Sequence, residues 1–347
     1  MYEPGMHSGR RSMPASHCLP RRNRVSVSLP PATAPDLRRR RGASSMTTVI
    51  VPLDGSDRAE QAIPWATALC HRINARLTLI SVVEIPVEFG AWSAASAMAV
   101  GNELDEWAAE RKAYLKDVAS KIDGIQIDIV SRIGSPTSEV LSAIGDVEDP
   151  FIVMTSHGRT GASRVVMGSA ANRIVRDARC PVLVIRSQRE TPDVTPSFDR
   201  VLVPLDGSEF SEHALDRGLD AIAPGGQSIA VHLLRVIEFL AVRIPGPDIP
   251  LDYGLVAEYT EAMQEEATNY LGVVTGRLSE KGVAVTSEVR QGRVSDEILR
   301  TAAEQKADLI LMSTHGRGGV SRLFFGSVAE RVLHESTHPL LLVRPRG

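Results

Sequence analysis

Thr155-Ser-His-Gly-Arg-Thr-Gly-Ala-Ser-Arg-Val-Val-Met-Gly-Ser169 and Ser313-Thr-His-Gly-Arg-Gly-Gly-Val-Ser-Arg-Leu-Phe-Phe-Gly-Ser327 decide the fold. Each copy follows an apolar run, 151–154 and 309–312, and each precedes a helix-like segment, 170–176 and 328–334. The order is buried strand, glycine-rich loop, helix N-terminus. Such a loop gathers unpaired backbone N–H groups and the positive end of a helix dipole at one point. That arrangement takes an anion, most commonly a phosphate. Glycine lets the backbone approach a ligand that a side chain would block. Strand-to-helix connections in α/β proteins favour Gly and Ser in any case, so one copy alone divides evenly between phosphate loop and plain turn. Two copies at one spacing favour the ligand.

The repeat extends well beyond the loop. His157 and His315, Gly168 and Gly326, and Pro181 and Pro339 are each 158 residues apart. Earlier, Val51-Pro-Leu-Asp-Gly-Ser56 recurs as Val203-Pro-Leu-Asp-Gly-Ser208 at an offset of 152. The halves share both ends and differ by a net six residues between them. A period this long is a duplicated domain, not a solenoid repeat.

Hydrophobic content of 43% and charged content of 23% describe an ordinary globular protein. No apolar run approaches the ~18 residues needed to cross a bilayer. Cys18, Cys70 and Cys180 are far apart and form no CxxC pair. This argues against a disulfide framework or a zinc site and fits a reducing cytoplasm. Residues 1–45 hold nine Arg against Glu3 and Asp36, so the net charge of −3 divides into +7 there and −10 in the remainder. An acidic body is a poor general binder of nucleic acid. The tail is rich in Pro, Ser and Arg and has no sustained periodicity, so it is expected to be disordered. Three readings of it stand together: a solvated tail, a contact for nucleic acid or acidic lipid through Arg38 to Arg41, or a segment preceding a true start at Met46.

From 47 onward the pattern is regular. Strands are expected at 48–53, 76–83, 125–130, 150–156 and 181–186, with helices at 57–72, 103–121, 136–144 and 170–176. Pro64 is the one conflict inside the first helix. A polar linker at 188–198 carries two prolines. The second half repeats the elements, with strands at 200–205, 228–237, 283–289, 308–313 and 340–344 and a long helix at 258–281. Long Pro/Gly-containing connections fall at 84–99 and 238–252. The domains are therefore 46–187 and 199–347. Continuous apolar strands alternating with helices make a parallel sheet covered on both faces, and right-handed crossovers make it doubly wound. The expected fold is α/β: two tandem Rossmann-like domains, each a five-stranded parallel sheet of order 3-2-1-4-5. Ligands of such sheets sit at the carboxyl ends of the strands where strand order reverses. Asp54 and Thr155 end the two strands that flank that point.

These residues resemble the universal stress protein family over 46–344. The resemblance rests on the early Val-Pro-Leu-Asp-Gly-Ser, on Ser-His-Gly and Thr-His-Gly after the fourth strand, and on the spaced Gly-Ser. It also rests on the final Pro-Val-Leu-Val and Pro-Leu-Leu-Leu-Val strands. The ATP-binding branch of that family carries Gly, two residues, Gly, nine residues, then Gly followed by Ser or Thr. Gly158 and Gly316 match the second glycine; Gly168-Ser169 and Gly326-Ser327 match the end. Thr155 and Ser313 replace the first glycine, and both are small and hydroxylated, so the pocket is expected to survive. The resemblance implies an adenosine side lined by Pro52, Asp54, Val82, Met154 and Thr155, with Gly158, Gly168, Ser169 and Ala170 at the ribose and phosphates. In the second half it implies Pro204, Asp206, Val236, Met312 and Ser313 at the base, with Gly316, Gly326, Ser327 and Val328 at the phosphates. It implies ATP as ligand, with Mg²⁺ bridging the phosphates, and pairing of the halves through their last strands as a pseudo-dimer. Arg164 and Arg322 either add charge there or are solvated loop arginines.

Other chemistries lack their motifs. No GxxxxGK[ST] marks a P-loop, no GxGxxG opens the first helix, and no GxSxG marks a hydrolase elbow. Asp54, His157 and Ser169 do not make a triad, because nothing fixes the needed Ser–His hydrogen bond. His157 and His315 are expected to shape the loop by bonding backbone. Two functions remain: a nucleotide-dependent regulator in stress response, or a slow ATPase or other nucleotide-dependent enzyme. No catalytic base or arginine finger is visible for efficient hydrolysis.

Overall fold

The computed structural model describes residues 26–27, 46–84, 94–157, 167–187, 195–224, 228–238, 253–316 and 325–344. The elements run β1 (Ser26–Val27), β2 (Thr48–Pro52), α1 (Asp57–Glu60), α2 (Ala62–Ile73), β3 (Arg76–Val83), α3 (Ala94–Ser120), β4 (Ile127–Ile133), α4 (Pro136–Gly145), β5 (Pro150–Thr155), α5 (Ser169–Asp177) and β6 (Val182–Ile185). The second half follows as β7 (Arg200–Pro204), α6 (Glu209–Ile222), β8 (Ala230–Ile237), α7 (Tyr253–Glu280), β9 (Ala284–Gln291), α8 (Val294–Glu304), β10 (Leu309–Ser313), α9 (Ser327–Glu335) and β11 (Leu340–Val343).

All strands join one sheet, in the order β1-β4-β3-β2-β5-β6-β11-β10-β7-β8-β9. Each half therefore has the order 3-2-1-4-5 in its own five strands. Every pairing is parallel except β6 with β11, which meet antiparallel with Leu183 opposite Leu341. This joins the halves about a local two-fold axis and leaves neither apolar strand as a bare edge. Alternate strand residues enter two cores. Val49, Val51, Phe151 and Val153 pack under α1, α2, α3, α6 and α7, whereas Ile50, Ile152 and Met154 pack under α4, α5, α8 and α9. Both cores run across the seam. Phe198, in the segment expected as linker, is buried with its ring edge-on to Trp65 at 5.6 Å. Arg72 of α2 also reaches the second half, donating to the Ile222 and Ser228 carbonyls and to Asp199 at 2.9–3.0 Å.

Several boundaries differ from expectation. The first helix breaks at Gln61, because Pro64 has no N–H for the Glu60 carbonyl and its ring crowds it. Asp216 stands at the equivalent position of the second half, and α6 runs unbroken. Helix α3 begins at Ala94, inside the expected connection 84–99; its first turns are rich in alanine, the best helix former. Helix α7 begins at Tyr253, ahead of the expected 258 and directly after the expected connection 238–252. The tail, expected to carry no element, contributes Ser26–Val27 as a two-residue parallel strand on β4. An edge strand presents unpaired backbone groups, and a pairing this short requires no apolar face. Residues 85–93, 188–194 and 239–252 lie outside the described residues. Among the described residues no helix is long and apolar enough to cross a membrane.

Candidate functional site

Each half places two sequence-marked turns side by side at the carboxyl edge of its sheet. The first follows β2 and β7. Asp54 Oδ1 accepts from the Ser56 N–H at 3.0 Å and the Ser56 hydroxyl at 2.6 Å, and Asp206 Oδ1 does the same for Ser208 at 2.9 and 2.5 Å. The two serines then cap α1 and α6, accepting from the Ala59 and Ser211 N–H groups at 3.2 Å. Gly55 and Gly207 carry φ of +86° and +79°, so a side chain there would be strained. A Cβ on Gly55 would also collide with Arg111, whose Nη1 donates to the Asp54 carbonyl at 3.1 Å. Arg111 escaped the sequence reading, since α3 gives no local sign of which loop it covers.

The second turn follows β5 and β10. The Gly168 N–H returns to the Ser156 carbonyl at 2.9 Å and the Gly326 N–H to the Thr314 carbonyl at 2.8 Å. These bonds pinch the base of each glycine loop and set Gly168 and Gly326 as the N-caps of α5 and α9. Neither N-cap has a side chain to accept from the first turn, unlike Ser56 and Ser208. The opening N–H groups of both helices are thus offered to an acceptor from outside the helix. Ser169 and Ser327 are the first residues of these helices, with Ala170 and Val328 next. The two turns meet: a Cβ on Gly316 would lie 3.0 Å from Asp206 Oδ2. Gly158, its counterpart, and Arg164 and Arg322 lie outside the described residues.

Thr155 and Ser313 are buried, as are Met154 and Met312, while Pro52, Val82, Pro204 and Val236 are half-buried. The hydroxyls of Thr155 and Ser313 bond the loop's own backbone. Thr155 Oγ1 donates to the His157 carbonyl at 2.9 Å, and the His315 N–H donates to Ser313 Oγ at 3.1 Å.

The histidines differ from expectation. Their Nδ1 atoms bond side chains, Ser156 Oγ at 3.0 Å and Thr314 Oγ1 at 2.8 Å, not backbone. His157 Nε2 is buried without a hydrogen-bond partner among the described residues. Burial holds the pKa of His157 below the ordinary imidazole value, with Arg186, Arg58 and His334 adding to it. Burial and then Arg344 do the same for His315. As pH falls through about 6.5 the unfolded chain binds these protons first. The histidines' contribution to stability is therefore complete above that pH and is lost below it. Moving from about pH 7.5 to about pH 5.5 should lower the melting midpoint, and a His157→Gln/His315→Gln chain should show a flatter dependence. Equal slopes in the two proteins would assign the acid sensitivity elsewhere.

Cross-seam contacts repeat with the same symmetry. Arg186 Nη1 donates to the His334 carbonyl at 3.0 Å, and its counterpart Arg344 donates to the Arg176 carbonyl at 2.7 Å. Each arginine caps the last turn of the other half's helix, where the dipole is negative. Their offset of 158 was readable, but not what each would touch.

Fold and site together define a tandem doubly wound α/β protein with paired glycine-capped helices at the ligand edge of its sheet. The chain belongs to the universal stress protein family, whose profile it matches over 46–186 and 197–344. Universal stress protein Rv2005c of Mycobacterium tuberculosis is 30% identical over 315 residues, covering 85% of this chain and 96% of the relative. Universal stress protein MJ0531 of Methanocaldococcus jannaschii is 30% identical over 148 residues, 42% of this chain and 82% of the relative, the span of a single half. A universal stress protein from Archaeoglobus fulgidus has the same fold, with a TM-score of 0.62 at 21% identity over 86% of this chain and 98% of that one.

Proposed function

We propose that the protein is an ATP-binding regulator of the stress response, with one nucleotide site in each half and no efficient hydrolysis. The observation that carries the reading is the pair of glycine-capped helices, α5 and α9, whose first-turn N–H groups have no side-chain cap. Such a start neutralises phosphate without lysine. In this reading Ser169 and Ser327 add a hydroxyl to the backbone donors, and Gly168 and Gly326 keep the approach open. Asp54 and Asp206 fix the nucleoside from the facing turn. Pro52, Val82 and Met154, and Pro204, Val236 and Met312, supply apolar contact for the base, beside Thr155 and Ser313. Mg²⁺ enters with the phosphates and keeps mostly water and phosphate ligands, as that ion does.

A regulator works by preferring one conformation or partner complex when loaded; tight but equal binding shifts nothing. The segments 84–93 and 238–252, which lead from β3 to α3 and from β8 to α7, are the parts proposed to respond. Calorimetry on the full chain tests the reading. Two ATP per chain are expected, with single-turnover hydrolysis well below the ~1 s⁻¹ low end of ordinary enzymes. Asp54→Ala and Asp206→Ala should each weaken one site, since a hydrogen bond to a charged group is worth about 1.5–3 kcal/mol. Absence of ATP binding by the wild type overturns the proposal.

A further inference from the structure

We propose that the second half's phosphate site, at the start of α9, is completed by the first half, through Arg176. The inference rests on reading both halves as nucleotide sites. Arg176 stands near the end of α5, the helix whose start forms the first site. Its guanidinium crosses the β6–β11 seam. Nη2 lies 2.7 Å from Glu330 Oε1, and Cζ lies 5.5 Å from the centroid of the Phe325 ring. Phe325 immediately precedes Gly326, the N-cap of α9. Glu330 is in the first turn of that helix, and its N–H bonds the Gly326 carbonyl at 2.8 Å. Arg344 holds the Arg176 carbonyl from the second half. The residue is therefore held by the other half at its carbonyl and at Nη2, while its Nε donates to Asn172 Oδ1 on its own helix at 2.8 Å.

The charges explain why this matters. A carboxylate in the first turn suits an empty helix start but repels a phosphate arriving there. Arg176 cancels that repulsion from across the seam. The duplication supplies an internal comparison. At the same offset of 158, Asn172 stands where Glu330 stands and His334 stands where Arg176 stands. The first turn of α5 has no acidic residue, and no arginine occupies the facing position. Acid and cation differ together between the halves, on opposite sides of the seam. The ion pair is too exposed, at 38% and 42% of its side chains, to add much to stability. Its effect falls on the field that an incoming anion meets, and Arg176 acts as a positioning and neutralising residue for a site on the other half.

ATP titrations of the full chain test this, with the sites separated by substitution. Gly168→Asp leaves the second site and Gly326→Asp leaves the first. Arg176→Ala in the Gly168→Asp chain should weaken ATP by about five-fold, a first-turn charge of this exposure being worth roughly that. In the Gly326→Asp chain the same change should have a clearly smaller effect, because the residue that Arg176 meets near the start of α5 is the neutral Asn172. Adding Glu330→Gln to Arg176→Ala should restore the second site, an outcome that a simple loss of packing would not give. AMP, with fewer charges, should show a smaller loss than ATP. Equal effects at both sites, no effect at the second, or failure of Glu330→Gln to rescue overturns the inference while the two-site function stands. A wild type that binds no ATP overturns both.

Discussion

Gly168→Asp should abolish nucleotide binding in the first half and Gly326→Asp in the second, leaving one site each, and the double variant should bind none. The two glycines have φ of −58° and −62° with ψ of 144° and 136°, an extended N-cap geometry open to any residue. A Cβ would lie 3.5 Å from the Ser156 carbonyl oxygen at Gly168 and 3.3 Å from the Thr314 carbonyl oxygen at Gly326. A side chain is therefore accommodated, with slightly less room in the second half. Aspartate is among the best N-caps, because its carboxylate accepts from the N–H groups of the first turn. Those are the donors that phosphate uses in the proposed site. The substitution occupies them and adds a negative charge at the same place. Binding is lost while helix stability gains a few tenths of a kcal/mol, roughly the difference between Gly and Asp at this position. Calorimetric stoichiometry should fall from two to one to none while the melting midpoint holds or rises slightly. A single variant that still binds two equivalents would refute the assignment of the phosphates to these helix starts.

The fold was legible because its two strongest signals are local. Apolar runs such as Val49 to Val51 and Leu309 to Met312 can only be buried strands when they alternate with helices. The repeat then doubles every reading. The first turn of each site was legible for the same reason: Asp54 and Ser56 bond each other across Gly55, within three residues. What stayed hidden depends on distance along the chain. Arg111 covers Asp54 from 57 residues away, and Arg176 meets Glu330 across 154. No periodicity encodes such meetings; the antiparallel β6–β11 pairing creates them. Comparing the halves position by position offers a partial signal, since Arg186 and Arg344 recur while Arg176 and Glu330 do not. The histidines misled for a different reason. A residue and its neighbour usually point to opposite faces of a strand. Ser156 and His157 leave the strand at its end, where that rule lapses and the two side chains bond each other.

Leu183→Asp or Leu341→Asp should cost the chain most of its stability, because each residue packs in a core that both halves share. They face each other across the β6–β11 seam, both fully buried in one core that includes Phe151 and Val203. Removing a buried leucine forfeits about 1.5–3 kcal/mol of burial. Placing an unpaired carboxylate there adds several kcal/mol more, roughly, unless it takes up a proton. The total is a large share of the ~5–15 kcal/mol that holds an ordinary domain. Loss of the cooperative transition is expected, but that result alone does not separate failure of the seam from failure of one sheet. Alanine variants do. Leu183→Ala and Leu341→Ala should each cost about 2–5 kcal/mol. Because the side chains share one cavity, the double variant should depart from the sum by about 0.5–3 kcal/mol. Denaturant unfolding of the three proteins, with a single transition in each, gives that coupling directly. Strict additivity with two separate transitions would mean that the halves hold themselves together independently. The antiparallel seam would then carry no energy between the two sites, and Arg176 would have no stable frame from which to reach α9.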